Sequence, residues 1–220
     1  MQSTECMDIY HILYYFFFTL SFLLSIFCKK MEKGLSIFPA LLGLGIVTEV
    51  CVHFLLAKNG LPYIIIYHVY IPLEYTLWML YFRAVTQNKL IRTLQVYSIY
   101  LFVLLCLVLS IIYIPVDKFP NLQLNLEGIL LIIWATSSIF TIEYYPNVNI
   151  FSRPVFWICV GVLIYYTGSF SFMGVYNYIT ANKAALGKVL KIYLLIIPNC
   201  ILYTSLSIAF LCSQRIKKSL

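Results

Sequence analysis

Two glutamates and two histidines in two neighbouring apolar stretches of the chain are the residues best suited to acid–base chemistry. Glu49 and His53 are four positions apart, which stacks their side chains on one face of a helix. His68 and Glu74 follow in the next apolar stretch. Because a charged side chain at the centre of a bilayer costs roughly 2.5 to 3.5 kcal/mol, we expect all four to face the interior of a helix bundle.

These four side chains predict a polar pocket inside the membrane that is open to a small molecule or a proton. Aromatic residues at helical spacing around Glu74 extend the pocket, and the last apolar stretch adds an amide and a phenol on one face. The opposite interpretation is structural, with the same groups holding helices together by hydrogen bonds and without a ligand. The predicted lining residues are Glu49, His53, His68, Tyr70, Glu74, Trp78, Asn199 and Tyr203.

Two prolines interrupt the helical pattern next to these residues. Proline has no N–H to donate to the carbonyl four residues back, and its ring crowds that carbonyl. We therefore expect helix kinks at Pro72, which frees the His68 carbonyl, and at Pro198, which frees the carbonyl of Leu194.

Histidine and glutamate are also ligands of zinc and iron, so a metal site formed by His53, His68 and Glu49 is an alternative. The spacing gives it little support. His68 and Glu74 differ by six positions and therefore lie about 120° apart around a straight helix. No metal and no other cofactor is predicted.

The composition places these residues in a membrane protein. Hydrophobic residues make up 62% of the 220-residue chain and charged residues only 10%, which leaves too little polar surface for a water-soluble globule. Seven apolar runs have the roughly 20 residues that a spanning helix needs, and a helix satisfies its backbone groups internally. We predict an all-α, polytopic membrane protein, a seven-transmembrane-helix bundle that forms a single domain over residues 1–220. The predicted spans are residues 9–28, 35–57, 63–82, 94–115, 124–145, 154–176 and 190–212.

Basic residues between the runs set the predicted orientation. Of the 15 Lys and Arg residues, ten fall on the side that carries the C-terminal tail and five on the other. The positive-inside rule then places the N-terminus outside and the C-terminus in the cytoplasm. Cations spread over loops in this way do not form a nucleic-acid surface, and we expect them to meet the lipid bilayer and a separate protein partner. The predicted docking residues are Arg83, Lys89, Arg92, Arg215, Lys217 and Lys218.

Other polar residues of the spans are excluded from the predicted pocket. Span four carries only Gln95, Ser98 and Ser110 besides its tyrosines, so we expect it at the periphery of the bundle. Span five contains Glu127 near its outer end and Glu143 near its inner end, where headgroups and water can solvate a carboxylate.

Common catalytic signatures are missing, which favours a protein that is not an enzyme. The sequence contains no HExxH, no GxSxG and no phosphate-binding glycine loop. A lysine able to bind retinal would lie deep in the last span, whereas Lys188 and Lys191 lie at its outer edge, which argues against retinal.

Two segments carry a resemblance to known proteins. Residues 67–75 (YHVYIPLEY) resemble the Tyr-Asn-x-Tyr-x-x-x-Glu-Phe segment of uncharacterised bacterial seven-helix membrane proteins, with His68 in place of Asn and Tyr75 in place of Phe. Residues 154–158 (PVFWI) and the glycines that follow are also similar to that group. The group resembles the membrane sensor part of histidine kinases, which implies a sensor-like module in a bacterial cytoplasmic membrane.

Residues 71–75 (IPLEY) are also similar to the Pro-x-Glu-Glu core of small membrane-embedded lycopene cyclases. That resemblance implies an enzyme acting on an isoprenoid. The second such core of those proteins is missing here, and Tyr75 stands in place of the second Glu.

Four functions remain open. The leading one is a receptor-like or sensor-like protein, monomeric or oligomeric, whose ligand biases two packings of the bundle and which signals to a separate partner. The second is a membrane-embedded enzyme acting on a lipid or isoprenoid, with Glu74 as proton donor and Glu49 with His53 as base. The others are a small transporter and a structural subunit of a membrane complex.

Overall fold

The long apolar runs wind into helices, which satisfy the backbone donors and acceptors that lipid would leave unpaired. The computed structural model describes residues 2–27, 34–52, 64–113, 119–140, 149–182, 189–190 and 192–216. Within those ranges there are seven α-helices and no β-strand, which confirms the predicted all-α class. The helices are α1 (Gln2–Phe27), α2 (Phe38–Val50), α3 (Ile65–Val85), α4 (Lys89–Val108), α5 (Asn121–Phe140), α6 (Pro154–Asn182) and α7 (Ile197–Ile216).

α4 and α7 each adjoin a wider, π-helical turn of five residues. α4 continues into Leu109–Tyr113, and α7 is preceded by Ile192–Ile196. The π turn at Ile192–Ile196 ends two residues before Pro198, which cannot complete the backbone hydrogen bond of a regular helix. Two short 3₁₀ turns, Leu35–Ile37 and Ile150–Ser152, lead into α2 and α6.

Five helical segments are long and apolar enough to cross a membrane, which is the pattern of a helical membrane protein. α2 belongs to a shorter apolar helix, Leu35–Val50. α3 has sufficient length at 21 residues, but His68, Glu74 and its tyrosines lower its mean hydropathy. The five segments are Ile9–Phe27, Lys89–Tyr113, Asn121–Phe140, Pro154–Phe172 and Ile192–Gln214.

The helices group into two compact units. The terminal unit comprises Met1–Glu32 and Gly128–Leu220, and the central unit comprises Lys33–Glu127. The division falls within α5, whose first two turns belong to the central unit. A single domain over the whole chain stays a prediction.

In the terminal unit, small residues let α6 and α7 pack closely. A Cβ added at Gly161 would lie 2.9 Å from the Ser205 Cβ. One added at Gly168 would lie 2.9 Å from the carbonyl oxygen of Leu194. The two glycines are seven positions apart and share one face of α6, so the helix backbones approach more closely than larger side chains permit.

In the central unit, α3 supplies much of the aromatic core. Trp78 packs edge-on against Phe38, with 5.5 Å between the ring centroids. Tyr75 packs against Phe102 of α4, with centroids 4.2 Å apart. Both α3 side chains are buried, so the core fixes α3 against α2 and α4 and thereby positions its polar residues.

Candidate functional site

The second turn of α5 contains Glu127, whose carboxyl group forms no hydrogen bond with any described residue. Glu127 has no exposed surface, and neither of its carboxyl oxygens has a hydrogen-bond partner within the described ranges. The prediction that headgroups and water solvate this residue is wrong, because the fold encloses it in protein. Glu143, the other acid excluded on the same grounds, lies outside the described residues.

A hydrogen-bonded network lies one helical turn away from Glu127. Gln123 Nε2 donates to Ser110 Oγ at 2.8 Å and to the carbonyl oxygen of Cys106 at 3.1 Å. Ser110 Oγ is in turn 2.8 Å from His68 Nδ1. Polar side chains thereby join α3, the π-helical end of α4, and α5.

The carbonyl of Cys106 fixes the orientation of the Gln123 amide. A carbonyl only accepts hydrogen bonds, so the amide nitrogen faces it, and both N–H groups of that nitrogen are used. The amide oxygen, Gln123 Oε1, is buried and has no hydrogen-bond partner among the described residues. With the two oxygens of Glu127, one face of α5 therefore presents three buried oxygen atoms that have no hydrogen-bond partner among the described residues.

Glu74 of α3 brings a second carboxyl group near Glu127. The two groups are close enough for their charges to interact, and the Glu74 side chain is half-buried. Two carboxylates in a medium of low dielectric constant repel each other strongly, so a proton or a cation shared between them lowers the energy. The buried polar cluster, as we name it, consists of His68, Glu74, Ser110, Gln123 and Glu127.

Ser110 reaches this cluster from the π-helical turn Leu109–Tyr113. A π turn inserts an extra residue, which changes the direction of nearby side chains, and such turns are frequent at functional sites. The sequence predicted that span four lies at the periphery of the bundle. One face of α4 is indeed exposed, but its polar residues lie on the inner side. Gln95 is buried and donates to Thr86 Oγ1 at 3.2 Å, and Ser98 hydrogen-bonds to a tyrosine of α3.

Two of the residues predicted to line a pocket, His68 and Glu74, belong to the buried polar cluster. Trp78 lies instead in the aromatic core of the central unit, where its indole Nε1 has no hydrogen-bond partner among the described residues. Glu49 and Tyr70 are half-buried side chains of α2 and α3. The structure thus assigns different surroundings to residues that the sequence grouped together.

Two further predicted lining residues, Asn199 and Tyr203, lie on α7 in the terminal unit. Tyr203 stacks there on Phe18 of α1, with 4.6 Å between the ring centroids. His53 lies outside the described residues, so a metal site with His53 stays a prediction. In the part of the chain that the structure describes, no three His, Cys, Asp or Glu side chains are arranged to hold a metal ion.

Both prolines predicted to bend helices lie inside helical segments. α3 runs without interruption through Pro72, whose carbonyl accepts a hydrogen bond from Thr76 Oγ1 at 2.7 Å. Pro198 is buried, and a Cβ added at Gly168 would lie 2.9 Å from its ring carbon Cγ. Pro198 therefore forms part of the close contact between α6 and α7.

Three of the predicted docking cations come together on the surface of the central unit. Arg83 near the end of α3, and Lys89 and Arg92 at the start of α4, line a groove of about 460 Å³. Their convergence concentrates positive charge in one concave place. Of the other predicted docking residues, Lys217 and Lys218 lie outside the described residues, and Arg215 is described only by its place in the last turn of α7.

Sequence reasoning missed Gln123 and Glu127, although a signal for them is present. The two residues are four positions apart, the same spacing that singled out Glu49 and His53. Glu127 was excluded from the predicted pocket because it lies near the outer end of its span. The position of a residue along a span does not determine whether a neighbouring helix covers its side chain.

The chain was compared with models of protein families, with curated proteins and with solved structures, and none of them matches. A function for the buried polar cluster is therefore inferred from its own chemistry. Three acceptors without donors and two interacting carboxyl groups favour a ligand that donates hydrogen bonds and carries positive charge.

Proposed function

We propose that the chain is a receptor-like or sensor-like membrane protein whose buried polar cluster binds a small cation with N–H donors. The observation that carries this proposal is a set of three buried oxygens without a hydrogen-bond partner among the described residues, Gln123 Oε1 and both carboxyl oxygens of Glu127. Leaving one buried polar group unpaired costs roughly 1–3 kcal/mol. Polar groups retained at that cost favour a binding role over a structural one.

The same atoms weigh against a purely structural role for the cluster. Polar residues that hold membrane helices together do so through hydrogen bonds between them. His68, Ser110 and Gln123 make such bonds, whereas Glu127 makes none with the part of the chain that the structure describes. A primary ammonium group carries three N–H donors and one positive charge, so it would satisfy the three acceptors and balance a carboxylate.

The proposed topology has seven membrane crossings, with the N-terminus outside and the C-terminus in the cytoplasm. In that topology the start of α3, the end of the fourth span and the start of α5 lie on the outer side. His68, Ser110 and Gln123 occupy those three ends. The ligand would then enter from the outer side of a bacterial cytoplasmic membrane, the location implied by the resemblance of residues 67–75.

Signalling in this proposal requires two packings of the central unit that bind the ligand with different affinities. α3 provides a connection, because His68 and Arg83 lie roughly 22 Å apart along it. A separate protein partner would respond to the change on the cytoplasmic side. Its proposed contact is the basic tail that contains Arg215, Lys217 and Lys218.

Binding of amines to the purified protein tests this proposal. Methylammonium and longer primary amines should raise the unfolding temperature of the wild type in mild detergent. Glu127→Gln should lose most of that rise, because its amide places N–H groups where the donors of the ligand would lie. Ser169→Ala instead removes a buried hydroxyl of the terminal unit that has no partner in the described segments, and it should keep the rise. Equal rises in all three proteins, or none in the wild type, would contradict the proposal.

One contact favours a second function, a membrane-embedded enzyme acting on a lipid or isoprenoid. Ser110 Oγ lies 2.8 Å from His68 Nδ1, which is the distance between a nucleophile and its general base. A lipid-like fluorophosphonate, which reacts with activated serines, separates the two functions. It should label wild type but not Ser110→Ala if the protein is such an enzyme, and it should label neither if the protein is a sensor.

A further inference from the structure

The groove lined by Arg83, Lys89 and Arg92 has a chemistry unlike that of the buried polar cluster. It lies on the surface where α3 leads into α4, and it encloses about 460 Å³. All three cationic side chains are exposed, and none of the described residues that line the groove is acidic. The groove is therefore a concave site suited to an anion.

The fold uses the neighbouring polar groups for its own local structure. Asn88 caps α4, with its Oδ1 accepting a hydrogen bond from the N–H of Leu90 at 2.9 Å. The Thr93 hydroxyl, which lines the groove, donates to the carbonyl of Lys89 at 3.0 Å. An anion in the groove would therefore be bound by the guanidinium and ammonium groups, whose donors match phosphate oxygens.

One face of α4 continues from the groove as an exposed apolar surface. Tyr100, Leu101 and Leu104 extend this face and are 70%, 69% and 59% exposed. From Tyr97 to Leu107 the face is about 15 Å long, half of the roughly 30 Å hydrocarbon core of a bilayer. The groove residues of α4 have the spacing of the same helical face: Lys89, Arg92, Thr93, Val96 and Tyr97.

We propose that the groove binds the phosphate of an anionic phospholipid, whose acyl chains lie along this face of α4. Basic pockets at the ends of membrane helices bind phosphorylated headgroups in this way. Tyr97 lies between the cations and the apolar residues, at the level where aromatic rings sit among headgroups. Positive charge at one end and exposed apolar surface along the rest favour a lipid over a free phosphate ion or an acidic protein segment.

The lipid site is independent of the proposed amine site. Arg83 lies in the last turn of α3 and His68 in its first, so the groove and the cluster occupy opposite ends of this helix. Either site can bind its ligand if the other does not.

Titration of lipid into the full chain in mild detergent, with native mass spectrometry to count bound molecules, tests the proposal. Wild type should bind phosphatidylglycerol at least tenfold more tightly than phosphatidylcholine. Because each cation at a membrane surface contributes about fivefold, the triple variant Arg83→Gln/Lys89→Gln/Arg92→Gln should lose roughly 100-fold in phosphatidylglycerol affinity. A control with the same loss of charge should keep that affinity: Lys183→Gln/Lys188→Gln/Lys191→Gln.

Single variants keep the proposal testable if the triple variant does not fold. Arg83→Gln and Arg92→Gln should each lose about fivefold in phosphatidylglycerol affinity. Glycerol phosphate, which has the headgroup charge but no acyl chains, should compete only weakly. Competition equal to that of the lipid would indicate an anion site without lipid and overturn the proposal. Unchanged phosphatidylglycerol affinity in the variants, with loss of binding to a polyglutamate peptide, would also overturn it.

Discussion

Gln123 and Glu127 lie one turn apart on α5, and together they present three buried oxygen atoms that accept no hydrogen bond from the described residues. At a protein surface, water would satisfy such atoms, but the interior of a membrane bundle offers little water. The Gln123 nitrogen has already donated to Ser110 and to the carbonyl of Cys106. The cluster is thus rich in acceptors and short of donors, and this imbalance is the basis for its proposed ligand.

Replacing Glu127 by leucine should stabilise the protein. Leucine has a similar size and removes two buried oxygens that no described residue pairs, so we expect the free energy of unfolding to rise by about 1–3 kcal/mol. Chemical unfolding in mild detergent, followed by tryptophan fluorescence, measures this change. Such a gain together with lost amine binding is the trade-off expected at a binding site. A decrease of the same size would show that the carboxyl group is bonded within the fold.

The Gln123→Met variant should be less stable than wild type, in contrast to Glu127→Leu. Methionine keeps the volume but removes the hydrogen bonds to Ser110 and to the carbonyl of Cys106. Since loss of the unpartnered amide oxygen offsets part of that effect, we expect a net loss of about 1 kcal/mol in the free energy of unfolding. The same unfolding measurement applies. A stabilisation equal to that of Glu127→Leu would argue against the assigned orientation of the amide.

Two glycines provide a matched test of the contact between α6 and α7. A Cβ at Gly168 would lie 2.9 Å from the carbonyl oxygen of Leu194, whereas the nearest atom to one at Gly128 is 3.4 Å away, on Tyr166. Gly168→Ala should therefore lower the free energy of unfolding by about 1–3 kcal/mol, because backbone atoms must move. Gly128→Ala should be neutral or stabilising by up to about 1 kcal/mol, because alanine favours helix. Equal effects on the thermal unfolding of the two variants would contradict the close packing at Gly168.

The cap of α4 links stability to the lipid groove. Asn88→Ala removes the side-chain acceptor of the Leu90 N–H and should lower the free energy of unfolding by about 1 kcal/mol. It should also weaken phosphatidylglycerol binding, because fraying of the first turn displaces Lys89. Asn149→Ala removes the side-chain cap of the 3₁₀ turn Ile150–Ser152 in the terminal unit and should leave lipid binding unchanged. Unchanged lipid affinity in Asn88→Ala would show that lipid binding does not depend on the first turn of α4.

The helical class could be predicted from the sequence because hydropathy is a local property. The predicted sixth span begins at residue 154, where α6 begins, and the predicted fourth span lies within Lys89–Tyr113 except for its last two residues. α2 and α3 were harder to assess as spans. Polar residues such as His68 and Glu74 lower hydropathy in the helix that carries the predicted site.

The composition of the site was less predictable, because burial depends on which helices meet. His68 and Glu74 lie on different sides of a straight helix, yet both belong to one cluster. Ser110 connects α3 to α5, because it hydrogen-bonds both to His68 of α3 and to Gln123 of α5. No spacing within one helix reveals such a connection.

Native mass spectrometry of protein purified in mild detergent tests the amine-binding proposal most directly. Added primary amine should appear as a small adduct, distinguished from phospholipid by its mass, on wild type and on Ser169→Ala. The adduct should be absent from Glu127→Leu, which stays folded but lacks the carboxyl group. Wild type that remains free of amine, or Glu127→Leu that retains the adduct in full, would contradict a binding role for the buried polar cluster.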